Sequence, residues 1–191
     1  MISNTPQLIL ASGSPQRRRL LAEAGYEFEV TVPDECEPDV KDFSDPVSYV
    51  AHASWLKARQ VVAQVTAGIV LAADTVVACG GEVIGKPSDR EHARNILLAL
   101  SGTRHQVLTG VCVWRQPEGY WLGGVEVTQI QMRRLEHAVI ESYLDSNRWV
   151  GKAGAYAIQD PDPYVSIVSG SHSNVVGLPM ELVARLIGRS T

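Results

Sequence analysis

The sequence predicts an α/β fold, because short apolar segments typical of strands alternate with segments that have helical spacing through the first half of the chain. A content of 45% hydrophobic and 20% charged residues is enough for a globular core. The length of 191 residues suits one domain, residues 1–191, or two lobes around one cleft. We therefore expect a single folded unit whose sheet is flanked by helices.

Turn residues and helix caps divide the chain into elements. Ser14-Pro15 is typical of a helix start, Gly25 of a helix end, and Gly80-Gly81 between two apolar runs of a hairpin. The predicted strands are residues 8–11, 28–32, 69–73, 76–78, 82–84, 105–114, 120–133 and 164–168. The predicted helices are residues 15–24, 46–65, 90–100 (capped by Ser88 or Asp89), 136–146 and 179–187. Residues 34–45 are predicted to form an acidic loop. Residues 173–178 are predicted to be the last part of an irregular region, before the final helix.

Charge and cysteine content limit the classes of partner. A net charge of −4 and a pI of about 5.7 disfavour a general nucleic-acid binder, which usually carries a basic surplus. The sequence has no apolar run long enough for a membrane span and no visible secretory signal, so we expect no membrane association. Three cysteines without paired spacing, Cys36, Cys79 and Cys112, suit a reducing cytoplasm. Cys79 and Cys112 lie in apolar runs and are predicted to be packed thiols.

An anion site is predicted where the first strand meets the first helix. The apolar run ends in small residues before Ser14-Pro15, so free backbone N–H groups and the positive end of the helix dipole converge there. The positive charges of Arg17, Arg18 and Arg19 are unfavourable beside the positive end of that dipole. A bound polyphosphate would compensate for this repulsion, since guanidinium groups match phosphate oxygens. The alternative is a capped surface helix with a solvated basic face.

Two other segments carry a charged side chain beside a predicted strand or hairpin. Asp74 directly follows the predicted strand 69–73, and the carboxyl end of a buried strand is a common ligand site in α/β proteins. A turn or cap role is the alternative for Asp74. Lys86, between Gly85 and Pro87, can meet a phosphate as a point charge, although an ordinary surface lysine is the simpler explanation of this tripeptide alone.

Acidic and amide side chains complete the candidate chemistry. Asp34, Glu35 and Glu37 follow a strand, and acids opposite an arginine-rich phosphate site usually hold Mg²⁺ or activate water. A solvated acidic loop is the alternative. Between Lys152 and Gln159, small residues allow close approach of a ligand, and Gln159 can orient a water or contact a base edge, although a tight loop explains the segment equally. The five histidines have no metal-ligand spacing, so none is assigned as a ligand.

Taken together and in this order, seven segments resemble the Maf family of nucleoside triphosphate pyrophosphatases, from about residue 8 to residue 186. Seven segments in register make this resemblance specific. They are Ala-Ser-Gly-Ser-Pro-x-Arg at 11–17, Lys57-Ala58, Ala73-Asp74-Thr75-Val76-Val77, Gly85-Lys86-Pro87, Leu100-Ser101-Gly102 with His105-x-Val107-x-Thr109, residues 152–159, and Val176-Gly177-Leu178-Pro179.

The resemblance implies hydrolysis of a nucleoside triphosphate between its α- and β-phosphates, which guards nucleotide pools and requires Mg²⁺ or Mn²⁺. It also implies an elongated, twisted mixed sheet with two lobes around a central cleft, similar to Maf and ITPase-like proteins, and a possible homodimer. Some members of the family are linked to arrested septum formation. A non-catalytic nucleotide-binding regulator of cell division is therefore the alternative function.

The same resemblance implies a role for each site residue. Asp74 is implied as the proton acceptor, and Asp74 with Glu35 as metal ligands, while Glu37 remains an alternative to Glu35. The implied catalytic residues are Asp74, Glu35, Lys86 and Gln159. The implied substrate-binding residues are Ser12, Ser14, Arg17, Lys57 and Lys152.

The segments also resemble one branch of the family more than another. Ala73-Asp74-Thr75 and residues 152–159 look like the branch acting on dTTP and UTP, whereas the 7-methyl-GTP branch typically carries Ser-Asp-Gln and Cys-Ala-Gly there. Three positions depart from the family pattern: Gln16 replaces an arginine, Gly151 an aspartate and Asp160 a glycine. The change at residue 160 alters the loop that carries Gln159, so the alternative substrate stays open.

Overall fold

The computed structural model describes residues 6–34, 38–158 and 164–190, and within these ranges it confirms a mixed α/β fold with a seven-stranded sheet flanked by helices. The strands are β1 (Leu8–Ala11), β2 (Phe28–Val30), β3 (Gly68–Cys79), β4 (Glu82–Ile84), β5 (Arg104–Gln116), β6 (Tyr120–Met132) and β7 (Val165–Ser169). The α-helices are α1 (Pro15–Glu23), α2 (Pro46–Val62), α3 (Arg90–Leu100), α4 (His137–Asp145), α5 (His172–Val176) and α6 (Met180–Ser190). Short 3₁₀ turns occupy Val40–Asp42 and Ala153–Ala155.

The sheet combines a parallel part with an antiparallel part. Its strand order is β2-β1-β3-β5-β6-β7, and β4 pairs separately with β3. β1 runs parallel to both β2 and β3, whereas β3, β5, β6 and β7 pair antiparallel in succession. The long strand β3 therefore joins the two parts of the sheet.

Two short strands share one edge of β3 and leave a notch between them. The ladder with β1 ends at the pair Ala11 and Ala72, and the ladder with β4 begins at Val77. β5 covers the opposite edge of β3 without interruption. We call the gap beside residues 73–76 the notch; there, none of the described strands pairs with this edge of β3.

The predicted interruption between strands 69–73 and 76–78 is wrong, since β3 continues through it. Asp74 pairs with Gly110 of β5, and Thr75 pairs with Thr109. Backbone hydrogen bonds to β5 hold the two polar residues in the ladder, because those bonds do not depend on side-chain polarity. Asp74 thus lies within a strand rather than after it, just beyond Ala72, where the parallel ladder with β1 ends.

Helices cover both faces of β3 and β5. On one face α2 packs through Ala58 and Val61 against Val70, in a cluster that includes the buried Cys112. On the other face α6 packs beside β1, and further along the strands a separate cluster joins α3 and α4 to the sheet. The core is therefore divided along the long strands, with the notch between its parts.

Local signals account for most helix ends. Ser14 Oγ accepts the N–H of Arg17 at 3.4 Å, and Asp89 Oδ1 accepts the N–H of His92 at 2.8 Å, which decides between the two predicted caps of α3. The prediction that residues 173–178 belong to an irregular region is wrong for α5, which ends at Gly177 in the left-handed region with φ 117°.

Two of the three cysteines lie in the described part of the chain, and both are packed thiols as predicted. Cys112 is 1% exposed, and burial raises the pKa of its thiol to about 12. Cys79 is partly buried against the cluster of α3 and α4. Cys36 lies outside the described residues. Among the described helices, none combines the length and apolar character needed to cross a membrane.

Candidate functional site

The notch opens into a cleft of about 950 Å³. Segments far apart in the sequence meet in its walls, because β1, β3, β4 and the loops that follow them all reach it. Seven of the predicted site residues line this cleft: Ser12, Ser14, Arg17, Lys57, Asp74, Lys86 and Lys152. Glu35 and Gln159 lie outside the described residues, as do Glu37 and Asp160.

Asp74 and Lys57 form an ion pair at the cleft wall. Asp74 projects from β3 toward α2, and the Lys57 Nζ of that helix donates to its Oδ1. The two side chains are only 8% and 15% exposed, so each limits the desolvation cost of the other. The pair thus places a carboxylate with a fixed orientation beside the notch.

Gly110 allows α2 to approach the sheet at this point. A Cβ there would lie 2.1 Å from the carbonyl oxygen of Val50 in α2, a distance no side chain tolerates. Because Gly110 is also the partner of Asp74 in the ladder, the contact fixes α2 over the same part of β3. Lys57 lies about two turns along from Val50 on this helix.

Among the described residues, three partners accept hydrogen bonds from Arg17 and hold it in the cleft. Its Nε donates to the carbonyl oxygen of Gly177 at 2.8 Å, and its two terminal nitrogens donate to Ser12 Oγ at 3.2 Å and Thr75 Oγ1 at 3.1 Å. These partners come from β3, from the end of β1 and from the turn after α5. The guanidinium therefore has a defined position in front of the notch.

The hydroxyl of Thr75 connects Arg17 to a buried polar network. Thr75 Oγ1 lies 3.0 Å from Thr109 Oγ1, which donates to the carbonyl oxygen of Asn174 at 3.2 Å. Asn174 is fully buried, and its Nδ2 donates to the carbonyl of Val107 and to a threonine of β6. Asn174 thus anchors α5 to the sheet and keeps Gly177 in reach of Arg17.

Two loops carry the remaining cations, and a backbone hydrogen bond joins them. The N–H of Gly154 donates to the carbonyl oxygen of Gly85 at 3.0 Å. Gly154 has φ 69°, and a Cβ there would lie 2.6 Å from a methyl group of Val77, so only glycine fits. This contact brings the loop with Lys86 next to the loop with Lys152 at one side of the cleft.

The predicted arginine cluster separates in the structure. Arg17 faces the cleft, whereas Arg18 and Arg19 are exposed and absent from its lining. Arg19 forms an exposed ion pair with Glu23 one helical turn later. Gln16, which stands where the family pattern has an arginine, does line the cleft. Arg18 and Arg19 therefore belong to a solvated basic face, as the alternative predicted. Arg17 belongs to the predicted anion site.

Two residues that line the cleft, Thr75 and His105, were assigned no role from the sequence, although both lie in segments of the family resemblance. Thr75 neighbours Asp74 in a strand, so the two side chains point to opposite faces and both reach the notch from there. His105, in β5, is 6% exposed and lines the same cleft. Burial lowers the pKa of its imidazole to about 4. Their place as polar residues in two mostly apolar strands was the signal that could have found both.

The donor set suits a divalent cation that is shared with a substrate. Within residues 6–34, 38–158 and 164–190, no three His, Cys, Asp or Glu side chains form a cluster able to hold a metal ion by themselves. Asp74 and Asp34 supply carboxylates to the cleft lining. Mg²⁺ typically binds one or two carboxylates and completes its coordination with substrate phosphates and water. The described carboxylates fit that mode rather than a cage made of protein ligands.

Comparisons with known proteins agree with the geometry. The family model described as Maf-like protein matches residues 7–190. A dTTP/UTP pyrophosphatase of Rhodopirellula baltica is 45% identical over 186 residues, which cover 96% of this chain and 82% of that protein. A dTTP/UTP pyrophosphatase of Anaeromyxobacter dehalogenans is 47% identical over 188 residues, which cover 97% of this chain and 94% of that protein.

A solved structure supports the fold. The Ham1 protein of Staphylococcus aureus matches 97% of this chain and 100% of its own chain with a TM-score of 0.55. At 12% identity, this likeness bears on the fold alone. The family match over residues 7–190 and the two relatives near half identity lead to one conclusion: the chain belongs to the Maf family.

Proposed function

We propose that this chain hydrolyses nucleoside triphosphates, with dTTP and UTP preferred, to a nucleoside monophosphate and pyrophosphate. The observation that carries the proposal is the convergence of Arg17, Lys57, Lys86 and Lys152 around Asp74 in one cleft. The whole chain has a net charge of −4, so this concentration of cations is local and favours a polyanionic ligand. Relatives named dTTP/UTP pyrophosphatases support the choice of nucleotides.

The cations of the cleft and the N-terminus of α1 bind the phosphates in this proposal. Arg17 offers a planar guanidinium whose position is fixed by Gly177 and Thr75, which lowers the entropy lost on binding. Lys86 and Lys152 act as point charges from two joined loops. The turn before α1, capped by Ser14, adds the positive end of the helix dipole. Together these groups offset the repulsion between a triphosphate and an attacking hydroxide.

In the proposed reaction, water attacks the α-phosphorus and the bond to the oxygen that bridges the α- and β-phosphates breaks. Pyrophosphate leaves with that oxygen, and Asp74 accepts the proton of the attacking water. Lys57 keeps the carboxylate of Asp74 oriented, since it binds one of the two oxygens. Glu35 and Gln159 are proposed catalytic residues from the family resemblance.

A divalent cation, Mg²⁺ or Mn²⁺, is part of the proposal. Asp74, with Glu35 or Asp34, would hold it against the substrate phosphates. When bound, such an ion supplies positive charge that stabilises the developing negative charge on the phosphate oxygens. A homodimer and a cytoplasmic location remain predictions from the resemblance and the cysteine content, and light scattering of the purified protein tests the first.

The test is a nucleotide panel assayed for products. Purified protein is incubated with dTTP, UTP, CTP, GTP and 7-methyl-GTP in the presence of Mg²⁺ or Mn²⁺, and pyrophosphate and orthophosphate are measured separately. We expect pyrophosphate and the monophosphate in equal amounts, with dTTP and UTP the fastest substrates. Orthophosphate as the first product would contradict cleavage at the α-phosphorus, and binding without any product would favour a nucleotide-binding regulator.

A further inference from the structure

We propose that His105 recognises the base: its Nε2 accepts a hydrogen bond from the N3–H of uracil or thymine. This inference rests on the proposed function, since it assigns the base end of the same cleft. It concerns a residue for which the family resemblance implied no role.

The part of the cleft lining around His105 is apolar. Ile130 pairs with His105 across the ladder of β5 and β6, and Val107 lies two positions along β5 on the same face. Both line the cleft and belong to the cluster of α3 and α4. Thr75, which holds Arg17, pairs with Thr109 of β5, and Thr109 lies on the same face of that strand as His105. A triphosphate bound by Arg17 at Thr75 can therefore extend its base along this face toward His105.

The hydrogen bonds of Thr103 fix the tautomer of His105. Thr103 has one hydroxyl proton, which it donates to the carbonyl oxygen of Leu100 at 2.8 Å. Thr103 Oγ1 also lies 3.2 Å from His105 Nδ1, and with its proton already used it accepts there. Nδ1 therefore carries the ring hydrogen. Because burial lowers the pKa of this imidazole to about 4, the ring is neutral at neutral pH and Nε2 carries a lone pair.

An acceptor at this place distinguishes between pyrimidines. Uracil and thymine present N3–H, a donor, whereas cytosine presents an unprotonated N3, an acceptor. Opposite Nε2, cytosine would leave two acceptors facing each other in a site that is mostly shielded from water. A buried polar group left without its partner lowers affinity by about 10- to 100-fold. His105 thus favours dTTP and UTP over CTP without any contact to the phosphates.

Binding of monophosphates tests this inference without requiring turnover. Calorimetric titration of the parent protein with UMP, CMP and N3-methyl-UMP measures directly how much the N3–H group contributes to affinity. We expect UMP to bind at least about tenfold more tightly than CMP and N3-methyl-UMP. Equal affinities of the parent for UMP and CMP would overturn the role of His105, whatever the hydrolysis assay gives, so failure here is separate from failure of the proposed reaction.

Two variants assign the discrimination to the imidazole. His105→Leu should lower the UMP:CMP affinity ratio to near one, mainly by weakening UMP binding. Thr103→Val keeps the imidazole but removes the group that fixes its tautomer, and should lower the ratio partially. His137→Leu, at an exposed histidine of α4 outside the cleft lining, is the matched control and should keep the parent ratio. A parent-like ratio in a folded His105→Leu protein would overturn the proposal.

Discussion

The Nε of Arg17 donates to the carbonyl oxygen of Gly177 at 2.8 Å, although 160 positions separate the two residues in the sequence. The bond joins the first helix to the turn after α5, and Thr75 on β3 holds a terminal nitrogen of the same guanidinium. Arg17 is thus oriented by three separate segments before any ligand arrives. An arginine whose position is fixed in advance binds phosphate without first losing its own side-chain freedom.

Loss of the Thr75 hydroxyl should weaken this arrangement. We expect Thr75→Val to lower kcat/KM by about tenfold, the effect of one hydrogen bond that positions a charged group. Thr75→Ser keeps the hydroxyl and should retain most of the parent value. Steady-state kinetics with dTTP measure both variants, and Thr66→Val, at an exposed position outside the cleft lining, is the control. A folded Thr75→Val protein with parent kinetics would show that Arg17 needs no support from Thr75.

The ion pair of Lys57 with Asp74 predicts that loss of one partner destabilises the fold more than loss of both. Lys57→Met leaves a mostly buried carboxylate without its cation and should lower the free energy of unfolding by about 3 kcal/mol. The double variant Lys57→Met/Asp74→Asn should recover most of that loss. Urea denaturation of the parent, both single variants and the double variant gives the coupling energy, and additive effects would contradict the pair.

Asp74→Asn should fold and lose hydrolysis. Asparagine keeps the shape of the side chain but cannot accept the proton of water, so we expect the rate of pyrophosphate release to fall at least about 10²- to 10³-fold. Circular dichroism and a thermal melt establish that the variant is folded. Parent-like turnover in the folded variant would mean that another group, such as Glu35, takes the proton.

The close approach of α2 to Gly110 predicts a strong effect of one methyl group. Gly110→Ala forces a Cβ against the backbone at Val50, so α2 must shift, at a cost of about 1–3 kcal/mol or more. Because α2 carries Lys57, activity should fall with stability. Gly188→Ala, in α6 where an added Cβ meets no atom within 4 Å, should be neutral or slightly stabilising. Similar thermal melts of the two variants would refute the predicted close contact.

Burial of His105 predicts a dependence of stability on pH. Its pKa falls from 6.5 to about 4 on folding, so between these values the unfolded chain binds more protons than the folded one. The free energy of unfolding should therefore decrease as pH falls from 6.5 toward 4. His105→Leu removes this contribution, so the parent should lose more free energy of unfolding on acidification than the variant does. Denaturation at about pH 7 and about pH 5 measures it; a constant difference would contradict the shift.

Local chemistry explains why many features were predictable from the sequence. The capping side chains of Ser14 and Asp89 bond the helix N-termini they precede, and Gly80-Gly81 joins β3 to β4 as a hairpin. Such interactions span a few residues and keep the same chemistry in any fold. The α/β class followed from the same signals, because strands and helices were recognised individually.

Other features depend on partners far away in the sequence. Asp74 and Thr75 stay within β3 because β5 pairs across them, and no nearby residue indicates that pairing. Arg17 alone among three adjacent arginines enters the cleft, because Gly177 and Thr75 are on its side of α1. His105 became a candidate only when the bond with Thr103 and the apolar lining were known.

The fold class, the principal helices and strands, and the family were predictable from the chain alone, because these depend on local patterns and on motifs in register. The tertiary structure decided which side chains share the cleft and how each is oriented. The physical reason is the notch: β1 and β4 pair with separate parts of one edge of β3. Residues from both faces of the sheet can meet only at such a gap, and its existence depends on strand pairing across the whole chain.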